Sequence, residues 1–171
     1  MAELLLPYAA NSPQTLAVAD EFGSTDWKNF NERVNQLIQA LRRQGLKTGD
    51  AFAVLSGNRR EYVEAFAAAA HGGWLLVPIN WHLVSSEISY ILENSESKAF
   101  LIDSRFYELG MQTISLENAP NISLIVVMGE PERDTSTQPR NIFTYEEFLS
   151  EEKNHEPEDQ SLGGPMFYTS G

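Results

Sequence analysis

Hydrophobic residues in this chain alternate between short continuous runs and stripes with a helical period. Mainly apolar segments at residues 51–55, 74–79, 98–102 and 122–128 are typical of buried strands. Between them, apolar residues recur every three or four positions at 30–41, 62–70 and 88–92, which predicts amphipathic helices. This alternation predicts an α/β fold with a mostly parallel sheet and helices on both faces.

Residues 30–41 give the clearest helical pattern in the chain. Gly45, just after the basic pair Arg42 and Arg43, is placed to end this helix. The apolar positions form one stripe, which we expect to be buried: Phe30, Val34, Leu37, Ile38 and Leu41.

The second helix is predicted to begin near residue 59. Asn58 followed by Glu61 has the spacing of a capping box, and Gly72 with Gly73 would end the helix. The stripe expected to face the sheet consists of Tyr62, Val63, Phe66 and Ala70.

The remaining segments give weaker patterns. Residues 16–19 and 26–27 flank a turn and predict a short N-terminal hairpin. Helices are expected at residues 104–117 and 145–149, a loop at 130–140, and a last short strand at 166–168. Pro78 lacks an N–H group, so it should lie at a strand end or an edge.

Length and charge limit the choice of partners. The 171 residues suit one domain, and 12 basic against 24 acidic residues give a net charge of −12. A phosphate backbone would repel this charge, so nucleic acid is not expected as a partner. Residues 130–160 hold ten acidic and three basic residues, and we interpret this segment as a solvated acidic loop.

Several kinds of site are not expected. The chain has no cysteine, and its three histidines are scattered without the spacing of a metal site. The first residues lack the basic start and long apolar run of a signal peptide, and no segment is apolar enough to span a bilayer. We therefore predict a cytoplasmic protein with no transmembrane segment and no metal ligands.

Ligands of open α/β sheets bind beyond the carboxyl ends of the strands. Small and polar residues follow the predicted strands there, and most of them are expected to be turn formers. The last three combine hydroxyls with a glycine and could form either a plain turn or a phosphate-binding loop. The candidates are Ser56, Gly57, Asn58, Asn80, Asp103, Thr169, Ser170 and Gly171.

Four short motifs occur in the same order as in a known family. The chain resembles the N-terminal part of the acyl-CoA synthetases, the AMP-binding fatty-acid–CoA ligases. That family carries a Gly-Asp before a strand, an Asn-x-x-Glu helix start, a Pro-x-Asn strand end and a Tyr-Thr-Ser-Gly loop. The matching residues are Gly49 and Asp50, Asn58 and Glu61, Pro78 to Asn80, and Tyr168 to Gly171.

The resemblance implies a ligase that activates a carboxylic acid, and a fatty acid in particular, with ATP and Mg²⁺ and then transfers the acyl group to coenzyme A. It implies that Thr169, Ser170 and Gly171 begin the loop that cradles the ATP phosphates. It assigns no catalytic residue within the chain. Residues 1–171 would form a partial adenylation domain that ends inside this loop, so we expect the chain itself to be inactive. An apolar face left exposed would allow self-association.

Two other hypotheses remain open from the sequence. The chain could be a stand-alone nucleotide-binding α/β module. It could instead be a non-enzymatic interaction domain whose acidic 130–160 segment recruits a basic partner. Acid-dependent activity, nucleotide binding by the chain alone, and binding of a basic protein would distinguish the three.

Overall fold

The structure is a computed structural model and describes residues 5–115, 121–130 and 141–169. Within these residues the helices are α1 (Leu6–Asn11), α2 (Trp27–Arg43), α3 (Arg60–Gly72), α4 (Ser85–Asn94), α5 (Tyr107–Ser115) and α6 (Tyr145–Ser150). The strands are β1 (Leu16–Asp20), β2 (Gly23–Asp26), β3 (Ala51–Leu55), β4 (Leu75–Ile79), β5 (Ala99–Asp103), β6 (Leu124–Met128), β7 (Asn141–Thr144) and β8 (Gly164–Pro165).

Two sheets are present in this part of the chain. Strands β1 and β2 form an antiparallel hairpin, and the other six form a parallel sheet in the order β7-β6-β5-β3-β4-β8. Strands β3, β5 and β6 are buried at every position, as their continuous apolar runs predict. The predicted parallel sheet and hairpin are confirmed.

Alternate side chains of each strand enter two different cores. Phe52 and Val54 of β3 pack in one cluster with residues of α2, α3 and α6. Ala53 and Leu55 pack on the opposite face, with residues of α4 and α5. The protein therefore has a helix–sheet–helix arrangement with two apolar layers, and helices on both faces are confirmed.

Helix α2 has the predicted buried face. Its whole predicted stripe is buried, and Gly45 follows the helix end with a φ of +91°. The side chain of Asp26 accepts a hydrogen bond of 2.8 Å from the N–H of Asn29, so it caps the helix. The expected strand at residues 26–27 is wrong in detail, because β2 ends at Asp26 and Trp27 begins α2.

Helix α3 turns a different face to the sheet from the one predicted. Val63 and Phe66 are 39% and 40% exposed, whereas Ala65, Ala68 and Ala69 are buried. The small alanines allow close packing on the sheet, which moves the larger apolar residues outward. The stripe predicted for this helix is therefore wrong for Val63 and Phe66, whereas Tyr62 is half-buried and packs against the core.

The start of α3 is also capped differently. The helix begins at Arg60, so its N-cap residue is Arg59, whose side chain makes no capping hydrogen bond. The predicted cap by Asn58 is therefore wrong. Instead, the N–H of Arg60 donates to Asp20 Oδ2 over 2.8 Å. Asp20 belongs to the hairpin, 40 residues earlier in the chain. A donor at the helix start is thus satisfied from a distant element, which local sequence cannot reveal.

Glu64 of α3 is the most deeply placed acid of this helix, with 2% of its side chain exposed. Arg33 Nε and the hydroxyl of Tyr145 each donate to its carboxylate over 2.8 Å. The two terminal nitrogens of Arg33 also bind the carboxylate of Glu146, over 2.9 and 2.8 Å. Helices α2, α3 and α6 therefore meet at one shared guanidinium.

Smaller differences concern segment ends. The strand predicted at 166–168 lies at Gly164–Pro165, although the N–H of Met166 still donates to Leu76 O over 2.8 Å. The helix predicted at 104–117 starts with a 3-10 turn, Ser104–Phe106, before α5. Strand β7 and helix α1 were not predicted. Of the loop expected at 130–140, residues 131–140 lie outside the described residues.

Candidate functional site

The carboxyl ends of the parallel strands meet at one edge of the sheet, where ligands of such folds bind. Ser56 and Gly57 follow β3, Asn80 follows β4, and Asp103 ends β5. Strand β3 pairs in parallel with both β4 and β5, so these predicted positions lie at the same edge of the sheet. We call this region the carboxyl edge.

Asp103 is fully buried at the carboxyl edge and is bound by arginines. Arg105 donates from Nη2 over 2.7 Å, and Nη1 of Arg59 lies 3.6 Å from Oδ1 of Asp103. Burial by itself would raise the pKa of Asp103. The hydrogen bonds from Arg105 and the charges of both arginines outweigh it and hold the pKa below its ordinary value. Asp103 is therefore an ionised structural partner rather than a free acid or base.

The tip of the hairpin covers these arginines. The ring centroid of Phe22 lies 4.2 Å from the guanidinium of Arg59 and 5.4 Å from that of Arg105. Glu21 accepts a hydrogen bond of 2.7 Å from Arg105, and Arg59 binds Glu61 through two nitrogens. Sequence reasoning missed this cluster because its members come from three separate segments.

The other predicted residues of the carboxyl edge have structural roles. Asn80 Oδ1 accepts from the N–H of His82 over 3.0 Å, and Asn80 O accepts from Leu83, so Asn80 forms a turn as expected. Gly57 allows a close approach, because a Cβ there would lie 2.7 Å from Arg105 Nη2. Asn58 is exposed.

Thr169 lies just past the last strand and is exposed. Together with Tyr168 it borders an open cavity of 450 Å³, whose other wall is the start of α4. The hydroxyl of Tyr168 donates to Asn94 Oδ1 over 2.8 Å, which holds this wall in place. The other two predicted phosphate-loop residues, Ser170 and Gly171, lie outside the described residues. The phosphate-binding role of all three stays a prediction.

Clustered carboxylates would indicate a Mg²⁺ site in the described residues. Within them, no three His, Cys, Asp or Glu side chains come together as metal ligands. In the same residues, no helix combines the length and apolar character needed to cross a bilayer.

The described part of the acidic 130–160 segment packs against basic residues of α2. Asp159 pairs with Arg42 over 2.7 Å, and Glu151 pairs with Arg43 over 3.0 Å. Glu146 pairs with Arg33 over 2.8 Å. These carboxylates already have cationic partners inside the molecule, which weakens the hypothesis that the segment recruits a basic protein.

The fold agrees with the family to which the sequence pointed. The model of the AMP-binding enzyme family matches residues 7–171, and the chain belongs to that family. The chain is similar to the long-chain-fatty-acid–CoA ligase of Thermus thermophilus, with 32% identity over 88% of this chain and 26% of the relative. It is also similar to the fatty acid–[acyl-carrier-protein] ligase ScoC of Streptomyces coeruleorubidus, with 31% identity over 72% of this chain and 23% of the relative.

A solved structure has the same fold. The anthranilate CoA ligase AuaEII, crystallised with anthranoyl-AMP, superimposes with a TM-score of 0.86 at 19% identity, over 99% of this chain and 32% of that protein. At this identity the comparison establishes the fold alone. The chain therefore spans about a quarter to a third of the length of the relatives it matches.

Proposed function

We propose that residues 1–171 form the N-terminal part of the adenylation domain of an acid–CoA ligase. The observation that carries this proposal is the match of the AMP-binding family over residues 7–171. The cavity beside Thr169 supports it, because an exposed hydroxyl follows the strand at the edge where α/β sheets bind ligands.

In the proposed reaction, a carboxylate oxygen attacks the α-phosphorus of ATP and the bond to pyrophosphate breaks. The acyl group of the resulting acyl-adenylate then passes to the sulfur of coenzyme A, and AMP leaves. The role proposed for this chain is to present the Thr169 hydroxyl, followed by Ser170 and Gly171, as hydrogen-bond donors to the phosphates. Mg²⁺ would offset the phosphate charge.

The relatives support a substrate class for this proposal. Two of them are ligases of fatty acids, which supports a fatty or related organic acid as the substrate. The proposed use of ATP and coenzyme A would suit a cytoplasmic location, which stays a prediction.

We propose further that the 171 residues do not catalyse the reaction by themselves, since they span only a fraction of the relatives' length. Self-association through an exposed apolar face also stays a prediction. It is supported by Val63, Phe66, Leu162 and Phe167, which are 39% to 68% exposed.

The test is acid-dependent exchange of pyrophosphate into ATP by the full-length protein, with acids from acetate to palmitate and with benzoate. We expect exchange with at least one acid, and a loss of about 100-fold in kcat/KM for ATP in Thr169→Ala, since one phosphate donor is removed. Thr48→Ala is the matched control, because Thr48 lies in the turn before β3, at the opposite edge of the sheet. It should leave exchange unchanged.

Two results would contradict the proposal. One is the absence of acid-dependent exchange with every acid tested. The other is an equal effect of the two threonine substitutions. Exchange by residues 1–171 alone would overturn the proposal that they are incomplete, and ATP binding by them without any acid-dependent activity of the full-length protein would favour a stand-alone nucleotide-binding module.

A further inference from the structure

The segment that leads into Thr169 is held by side chains that have no part in the chemistry. Residues 151–163 connect α6 to β8 and cross the polar face of α2; we call them the connecting segment. Strand β8 has only two residues, and it pairs with β4 alone. A strand this short contributes few hydrogen bonds, so the position of Thr169 depends on how the connecting segment is fixed.

Glu156 is the first fixed point of the connecting segment. Its Oε1 accepts from Nδ2 of Asn31 over 2.7 Å and from Nδ2 of Asn35 over 3.1 Å. Both asparagines belong to α2 and are buried, 8% and 1% exposed. Asn35 also donates to the carbonyl of Asn154 over 3.2 Å. The carboxylate of Glu156 thus accepts hydrogen bonds from the buried amide groups of two α2 side chains.

Gly163 is the second fixed point. Its N–H donates to Ala70 O over 3.0 Å, and the next residue, Gly164, donates to Trp74 O over 3.0 Å. A Cβ at Gly163 would collide with the carbonyl oxygens of Ala69 and Trp74. Backbone from the end of α3 and the start of β4 therefore closes around this position, and only glycine fits.

The two glycines differ sharply in their surroundings. A Cβ at Gly164 would meet no atom within 4 Å, although Gly164 is the first residue of β8. The close packing is thus specific to Gly163, at the junction where the connecting segment enters the sheet. From there the chain runs beside β4, and Met166 donates to Leu76 O over 2.8 Å before the chain reaches Thr169.

We propose that Gly163 and Glu156 are positioning residues that fix β8 and thereby the Thr169 hydroxyl relative to the ATP phosphates. The proposal rests on the function proposed above. Neither residue touches the substrates; both act through the placement of the backbone before Thr169. A shift of about 1 Å at a phosphate-binding group is enough to cost about 100-fold in rate.

The first experiment compares Gly163→Ala with Gly164→Ala in the full-length protein. Gly163→Ala should raise KM for ATP and lower kcat/KM by about 100-fold, whereas Gly164→Ala should stay within about twofold of the unchanged protein. Hydrogen exchange of the Met166 amide gives a readout independent of activity. It should accelerate in Gly163→Ala and not in Gly164→Ala.

The second experiment substitutes Glu156, which avoids the risk that Gly163→Ala fails to fold. Glu156→Ala removes the carboxylate that accepts from both asparagines, although Asn35 keeps the carbonyl of Asn154 as an acceptor. The substitution should raise KM for ATP and the exchange rate of the Met166 amide by about tenfold. Glu156→Gln retains an acceptor oxygen and should restore most of both values. Glu158→Ala is the control, because Glu158 is exposed in the same segment and makes no hydrogen bond or ion pair with a described residue.

The outcomes separate this inference from the proposed function. If the unchanged protein shows no acid-dependent exchange, the proposed function fails, while the Met166 amide still tests the placement of β8. If the protein is active but Gly163→Ala and Glu156→Ala match their controls in KM and in amide exchange, the positioning role is overturned. A fall in kcat with an unchanged KM would also overturn it, since a lower fraction of folded enzyme has that effect.

Discussion

Helices α2 and α3 pack on the same face of the sheet, yet they differ in the kind of side chain that they bury. Helix α2 has a polar face opposite its apolar stripe, and the stripe is buried. Helix α3 has apolar residues on two faces, and it buries the face of small alanines together with Glu61 and Glu64. Periodicity identifies the buried face only when the opposite face is polar.

Helix α3 can bury Glu61 and Glu64 because both carboxylates have hydrogen-bonding partners. Arg59 neutralises Glu61, and Arg33 with Tyr145 satisfies Glu64. A carboxylate can face the interior when hydrogen bonds replace its lost hydration. The hydrophobic pattern of α3 was misleading because those partners come from outside the helix.

The largest effect should come from removing the guanidinium that the two helices share. Arg33→Met leaves the buried Glu64 without a cation and should cost about 3–5 kcal/mol in free energy of unfolding, measured by denaturation in urea. Lys28→Met is the control on the same helix, because its contact with Glu32 is a 4.0 Å exposed pair. It should change the free energy by about 0.5 kcal/mol or less. Equal effects of the two substitutions would show that α3 does not depend on this contact.

A second pair of substitutions compares the two stripes directly. Leu37→Ala empties a position of α2 that is fully buried and should cost about 2–5 kcal/mol. Phe66→Ala removes a larger side chain that is 40% exposed on α3 and should cost about 1 kcal/mol. The measurement is again urea denaturation. If Phe66→Ala costs as much as Leu37→Ala, the orientation described for α3 is wrong.

The smallest effect concerns pH. Burial raises the pKa of Glu64 above its ordinary value of 4.5, although Arg33 and Tyr145 bind the carboxylate. The folded protein then binds this proton more tightly than the unfolded chain does. Its contribution to stability is present below pH 4.5 and is lost as the pH rises through the folded-state pKa.

Glu64→Gln removes this titration. As the pH rises above 4.5, the unchanged protein should therefore lose free energy of unfolding relative to Glu64→Gln. Denaturation at a series of pH values measures it. Glu147→Gln, an exposed acid of α6 whose pKa is lowered by the hydrogen bonds from Thr144, should give a shift of the opposite sign. A pH-independent difference for Glu64→Gln would contradict the assignment.

Much of the sheet could be predicted because its strands are buried on both faces and their sequences are continuously apolar. Strand β7 was missed since Asn141–Thr144 mixes polar and apolar residues at an edge of the sheet. Of the candidate site, the sequence located Asp103 at a strand end but not its partners. Arg59, Arg105 and Phe22 meet there only because the hairpin folds over the carboxyl edge. Contacts between distant segments leave no local pattern in a single sequence.

The ion pairs between α2 and the connecting segment make part of the protein sensitive to ionic strength. The Debye length falls from about 30 Å at 0.01 M salt to about 3 Å at 1 M, and partly exposed pairs such as Arg42–Asp159 and Arg43–Glu151 are screened far more than buried ones. Concentrated salt should therefore weaken the contacts that hold the connecting segment on α2. Screening does not weaken the two apolar layers, so the sheet should stay intact.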